Sequence, residues 1–344
     1  MKGVEMHSSR LRQRSVLFAA IAIVAGLSIG YAPAASADDG FAPGTIPLSQ
    51  YSEFGPHETA QTLAVHSCDS VYSALLDRAV RFFGNQSELT CTDIYPSGND
   101  SQTGIMFYYP KDIAEMSRVP SLIFSPGSNT EPGYYDSSLR FWASYGYVIA
   151  VPYDLVNLWP ELPLRGAQGL AQANSDPKNV MFGKLDLGRT ILVGHSGGGQ
   201  ATELGASVSP SEYQQIDPAL QIIGEVPIEP GPIALGSLLN VPTLYLTGCN
   251  DAFVWHWGWP RLAQYNLTVT VPAYLACIRG ANHTKPMDSI GNNPFAPITL
   301  AWMQYIAKGD QAAAKYFVGS QWSLPADPGV EYAMRNDLAD RLPG

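Results

Sequence analysis

Apolar and polar positions along this chain follow two periods, and after residue 103 they alternate regularly. The runs 121–124, 147–151, 190–193, 222–226, 243–247 and 273–278 are short, apolar and rich in β-branched or aromatic residues, which predicts buried strands. Residues 104–110 read as one more strand, stopped by Pro110. Residues 136–145, 164–174 and 297–308 suit helices, the last with Pro297 in a first turn, where a helix tolerates it. Strands alternating with helices predict an α/β fold, with a mostly parallel central sheet and helices on both faces. The run 273–278 is expected to be its last strand. Upstream, 71–80 carries apolar residues at helical spacing between Cys68 and Cys91, and 38–58 is a Pro-, Gly- and Ser-rich stretch that reads as an extended arm. No repeat or linker divides residues 38–344, so a single domain is expected.

One stretch carries chemistry. Gly194-His195-Ser196-Gly197-Gly198 has the form G-x-S-x-G, between the apolar run 190–193 and a small-residue, helix-compatible segment. Strand, tight turn and helix make this a nucleophile elbow. The glycines leave room for a strained serine backbone, and the hydroxyl is held at a helix N-terminus. There the Gly197 amide can donate to a developing oxyanion. The alternative is a Gly-rich loop that merely joins strand to helix.

A nucleophilic serine needs a base, and the base needs an orienting acid. Asp251 follows the strand 243–247 and His283 follows the strand 273–278, so both lie beyond carboxyl ends of strands, where open α/β sheets place their sites. Ser196, Asp251 and His283 are the candidate catalytic residues. Glu229 is the rival acid, and His195 and His256 are the rival bases. The loop Ser125-Pro126-Gly127-Ser128-Asn129 follows the strand 121–124, and the Ser128 amide is the candidate second oxyanion donor. Trp255, Trp257 and Trp259 follow Asp251 closely and are candidate walls of a substrate pocket, with core packing as the alternative for at least one.

Composition narrows the setting. The chain has 344 residues with a net charge of −10, and 46% of it is hydrophobic. Arg10, Arg12 and Arg14, an apolar run over 15–30 and Ala35-Ser36-Ala37 together read as a secretory signal peptide over residues 1–37. The apolar run is shorter than the ~20 residues of a membrane span, so no stable membrane anchor is expected. The leader removes more basic than acidic residues, and the remaining acidic chain has no electrostatic footprint for nucleic acid. Four cysteines in an exported chain suggest two disulfides. The expected pairs are Cys249–Cys277, which end neighbouring strands, and Cys68–Cys91.

Taken together, 125–127, 144–150, 183–186, 194–199, 241–244 with Asn250-Asp251, and 280–283 resemble the dienelactone-hydrolase-like and cutinase-like branch of the α/β-hydrolase superfamily. Bacterial polyester hydrolases, chlorophyllases and platelet-activating-factor acetylhydrolases are similar in pattern. The resemblance spans about 120–308. It implies an α/β-hydrolase fold and a Ser-His-Asp carboxylic ester hydrolase that needs neither metal nor cofactor. Ser196, Asp251 and His283 fall on its triad positions, and Ser128 and Gly197 on its oxyanion positions. Ser128 stands where polyester hydrolases usually have an aromatic residue and Gly197 where they have Met. Pro227-Ile228-Glu229-Pro230-Gly231 lacks their tryptophan.

The expectation is a secreted, monomeric serine esterase whose only partner is a small-molecule or polymeric ester, with small or medium apolar esters preferred. The alternatives are an acyltransferase, a lipase- or cutinase-type polyester hydrolase, and a non-catalytic secreted binding protein.

Overall fold

The computed structural model describes residues 51–343, which lie in one compact unit. The expected signal peptide and the first part of the arm fall outside the described residues. The chain builds a nine-stranded sheet in the order β1-β4-β6-β5-β7-β8-β9-β10-β11. Its strands are β1 (Thr59–Gln61), β4 (Gly104–Pro110), β5 (Val119–Ser125), β6 (Val148–Tyr153), β7 (Leu185–His195), β8 (Ile222–Ile228), β9 (Thr243–Gly248), β10 (Ala273–Ile278) and β11 (Val330–Arg335). The six strands from β6 across to β10 pair in parallel, while β1, β4 and β11 join antiparallel at the edges. A two-stranded sheet pairs β2 (His66–Ser67) with β3 (Thr90–Cys91).

The central strands are mostly apolar because both faces are covered. Leu122, Phe124, Ile191, Val193, Leu244 and Leu246 pack on one side with α2 (Asp136–Ser144), α6 (Phe295–Lys308) and α7 (Gln311–Phe317). Their alternates Ile123, Leu192 and Tyr245 pack on the other, with α3 (Glu161–Ser175) and α5 (Pro210–Ile216). Adjacent residues of a strand point to opposite faces, so two helical layers share one sheet. The expected α/β layering and its mostly parallel sheet are both present.

One expectation needs correction. The strand at 273–278 is not the last, because β11 follows and pairs antiparallel with β10. Its sequence, Val-Glu-Tyr-Ala-Met-Arg, is only partly buried and has none of the continuous apolar character of the inner strands. Both expected disulfides are formed, Cys68–Cys91 and Cys249–Cys277. No helix among the described residues is long and apolar enough to cross a membrane.

The segment between Cys68 and Cys91 carries α1 (Val71–Phe82), capped by the Ser70 hydroxyl. It docks far along the chain. Asn85 Nδ2 donates to the Thr284 carbonyl at 3.0 Å, and the amides of Gln86 and Ser87 donate to the Asp288 carboxylate. Lys285 Nζ donates to the Gly84 carbonyl, and Tyr72 Oη donates to the Asn129 carbonyl. The segment thus braces the loops that carry His283 and Ser128.

Two carboxyls are buried together in the core. Glu203 lies on α4 (Gly197–Ala206) and Glu225 on β8, both without exposed surface. Burial pushes Glu225 up to about 8, and burial followed by the charge of Glu225 pushes Glu203 well above the usual range. A carboxyl whose folded value is raised gives stability that is complete below its unfolded value of 4.5 and is lost as pH rises through the folded value. The melting temperature is therefore expected to fall between pH 5 and pH 9. Glu225→Gln should flatten that fall, since one pKa unit is about 1.4 kcal/mol. Equal pH dependence of thermal melting in the two proteins would refute the account.

Candidate active site

The turn after β7 is built by close backbone approach. Ser196 sits between β7 and α4 with φ 56° and ψ −121°, a conformation L-residues avoid. A Cβ at Gly194 would run into the Gly198 carbonyl, and one at Gly198 into the Ser125 carbonyl. Hydrogen bonds hold the turn from below: the Ser196 amide donates to Ile228 O at 2.9 Å, and the Gly231 amide donates to Ser196 O at 3.1 Å. The strain at Ser196 is thus held by β8 and the loop after it.

His283 and Asp251 reach this serine from the loops after β10 and β9. His283 Nε2 lies 2.9 Å from Ser196 Oγ, and its Nδ1 lies 2.7 Å from Asp251 Oδ2. The second Asp251 oxygen accepts from the amides of Phe253 (2.7 Å) and Val254 (2.9 Å), which fixes the carboxylate plane. The two loops are tied together by the Asn250 amide on Ala281 O, the Cys249 amide on Ile278 O and the Cys249–Cys277 bridge. An oriented acid, an imidazole and a strained hydroxyl in one line meet the geometric demand for a general base acting on a nucleophile.

The rivals also find their places. His256 lies beside β11, with Nδ1 2.9 Å from Tyr332 Oη and 3.1 Å from Cys277 Sγ. His195 is buried behind the elbow, with Nδ1 2.8 Å from Tyr135 Oη. Burial, then the neighbouring His283, pushes its pKa well below the usual value, which leaves it neutral. Glu229 is buried at 3.6 Å from His283 Nδ1, the longer of the two carboxylate contacts.

Gly197 opens α4, where amides lack an intrahelical acceptor. Ser128 lies next to it: a Cβ on Gly197 would be 3.2 Å from Ser128 N and would collide with Ser128 Oγ. The serine side chain occupies the space a larger residue at Gly197 would need. Asn157 Nδ2 clamps the Ser128 loop by donating to Gly127 O (2.9 Å) and Thr130 O (3.2 Å). Nothing in the sequence marks that asparagine out, because its partners lie some thirty residues upstream.

No protein-family model and no curated protein sequence matches this chain.

The three tryptophans go to different places. Trp257 stacks on Tyr332 with Arg261 over its ring, Trp259 Nε1 donates to Pro230 O at 2.7 Å, and Trp255 is exposed. The ring that meets His283 is Phe253, with centroids 5.4 Å apart, and Phe83 packs on Phe253 at 5.3 Å. Phe253 is 44% exposed. Sequence reasoning missed both phenylalanines. A hollow between α3 and α5, lined by Leu164, Gln172, Glu212 and Ile216 among others, shares no residue with this site and has no histidine or cysteine in its walls.

Two sets of three ligand-type side chains come together among the described residues: Cys249, His256, Cys277 and His195, Glu229, His283. In the first, both sulfurs are spent in the disulfide. In the second, both His283 nitrogens already face Asp251 and Ser196. A metal there would take His283 Nδ1, the nitrogen that faces Glu229, away from Asp251.

Proposed function

We propose that the chain is an exported serine carboxylic ester hydrolase with the α/β-hydrolase fold. The observation that carries this reading is the unbroken series Ser196 Oγ–His283–Asp251, at 2.9 and 2.7 Å, built on a strained elbow. His283 takes the proton of Ser196 as the hydroxyl oxygen attacks the ester carbonyl. The amides of Gly197 and Ser128 hold the oxyanion that forms. The imidazolium, stabilised by Asp251, then protonates the leaving alcohol as the acyl-enzyme forms. In the second half the same imidazole activates water, which displaces Ser196 from the acyl group. This chemistry uses only the chain's own groups. Two disulfides fit a chain that folds in an oxidising compartment.

Phe253, backed by Phe83, stands beside the base and forms an apolar wall for the bound ester. Soluble esters of short to medium chain length are the expected substrates, since neither Ser128 nor Gly231 offers an aromatic clamp for a polymer. A chain-length series of p-nitrophenyl esters on the purified protein tests this. Absence of turnover on every ester would refute the assignment. Phe253→Ala should raise KM for medium-chain and aromatic esters several-fold with little change in kcat, because an aromatic contact is worth ~0.5–1.5 kcal/mol beyond its area. A fall confined to kcat would mean that the ring positions His283 and does not bind substrate.

A further inference from the structure

The site buries more ionisable chemistry than the Ser196–His283–Asp251 series uses. Glu229 follows β8 with φ 47°, and its amide donates to Leu246 O at 2.7 Å. Its side chain has no exposed surface. Oε2 lies 3.3 Å from His195 Nε2 and 3.6 Å from His283 Nδ1. Oε1 lies against the backbone of Gly248, where a Cβ would come within 2.6 Å of it. The Asp251 carboxylate faces the same nitrogen, His283 Nδ1, at 2.7 Å, so two buried carboxyls converge on one imidazole edge. Two buried carboxyls crowded on one imidazole nitrogen repel when both are ionised, so one of them keeps a proton.

The surrounding bonds say which one carries it. Asp251 acts as acceptor on every side: Oδ1 receives two amides and Oδ2 faces His283 Nδ1. No well-aligned donor reaches either Glu229 oxygen. Behind Glu229, the Gly127 amide donates to Tyr135 Oη at 3.1 Å, and Tyr135 Oη lies 2.8 Å from His195 Nδ1. With Tyr135 donating to Nδ1, His195 keeps its proton on Nε2, the nitrogen that faces Glu229 Oε2.

We propose that Glu229 is a positioning residue of this site: a neutral carboxylic acid that donates its proton to the Asp251 carboxylate from behind, with His195 Nε2 at 3.3 Å on its other side. The Asp251 carboxylate is then aimed at His283 by two amides and one carboxylic acid. The groups facing Glu229 are Asp251 from the β9 loop, His283 from the β10 loop, His195 from β7, and Tyr135 from the start of α2. Burial first, then the charge of Asp251, raises the Glu229 pKa well above the usual carboxyl range. The Gly248 amide alone favours the charged form, as the smallest contribution. Burial holds the Tyr135 hydroxyl protonated, up to about 12.

The kinetic consequences rest on the esterase reading, and the spectroscopic one does not. Glu229→Gln keeps the shape and an N–H donor, so kcat should stay within about threefold of wild type. Glu229→Leu removes the donor, concentrates negative charge on Asp251 and favours the His283 imidazolium. The acid limb of kcat/KM should then move up by about half a pH unit or more, and Glu229→Gln should restore it. Infrared difference spectra of wild type minus Glu229→Gln at pH 7 should show the C=O stretch of a protonated carboxyl. A missing band overturns the proposal. So does a loss in Glu229→Gln as deep as that in Asp251→Asn, which would make Glu229 an ionised orienting acid. Wild-type acid limbs in both variants would reduce Glu229 to a packing residue. If Glu229→Leu does not fold, the infrared band and the Glu229→Gln rate decide. If wild type hydrolyses no ester, the esterase reading fails and the infrared band alone decides.

Discussion

Ser196→Ala is expected to lower kcat for ester hydrolysis by on the order of 10⁶-fold and to leave the melting temperature nearly unchanged. The two halves of this expectation have separate origins. The hydroxyl is the only atom that could bond to the acyl carbon, and its loss leaves His283 with no proton to take. The fold does not depend on it, because the turn is held by the Ser196 amide on Ile228 O and by the Gly231 amide on Ser196 O, both of which alanine keeps. A fluorophosphonate should label wild type at Ser196 and leave the variant unlabelled. Label on another serine, or turnover in the variant above a few per cent, would remove Ser196 as the nucleophile.

Asp251→Asn should cost on the order of 10⁴-fold in kcat while KM and stability change little. The reason lies in the two amides. Phe253 N–H and Val254 N–H both point at Oδ1, so the asparagine must place its oxygen there. Its NH₂ group is then forced to face His283 Nδ1. A donor at that position requires an unprotonated Nδ1 and moves the imidazole proton to Nε2, where it faces Ser196 Oγ and blocks proton transfer. The variant would keep its geometry in the wrong tautomer. If it retained a tenth or more of wild-type kcat, Asp251 would not be the orienting acid, and Glu229, at 3.6 Å, would be the next candidate.

These expectations were legible in the sequence to different depths. The elbow is written locally: Gly194 is the next-to-last residue of β7 and Gly198 the second of α4, and each is glycine because a backbone carbonyl occupies the space of a Cβ. The inner strands are legible because both faces are buried, so most of their residues are apolar. Asp251 and His283 could be read from chain order alone, since each follows a strand end. Edge strand β11 could not, because it is half-exposed and loses the pattern that marks the inner strands. The contacts of Glu229 with His195 and His283 and of Phe253 with Phe83 join residues far apart in the chain, and no periodicity encodes such pairs. Phe253 was hidden by the three tryptophans beside it, which carry a louder aromatic signal and go elsewhere.

The docking of the Cys68–Cys91 segment on residues 282–289 has a consequence for the order of events in folding. Asn85, Gln86 and Ser87 wait for partners about two hundred residues downstream, and Tyr72 for one some sixty residues on. A ribosome reaches Thr284 and Asp288 long after it has released the elbow. Closing so long a loop is slow compared with pairing neighbouring strands. A growing chain would therefore hold Ser196 early and brace the loop of His283 late, once residues 284–288 had been made.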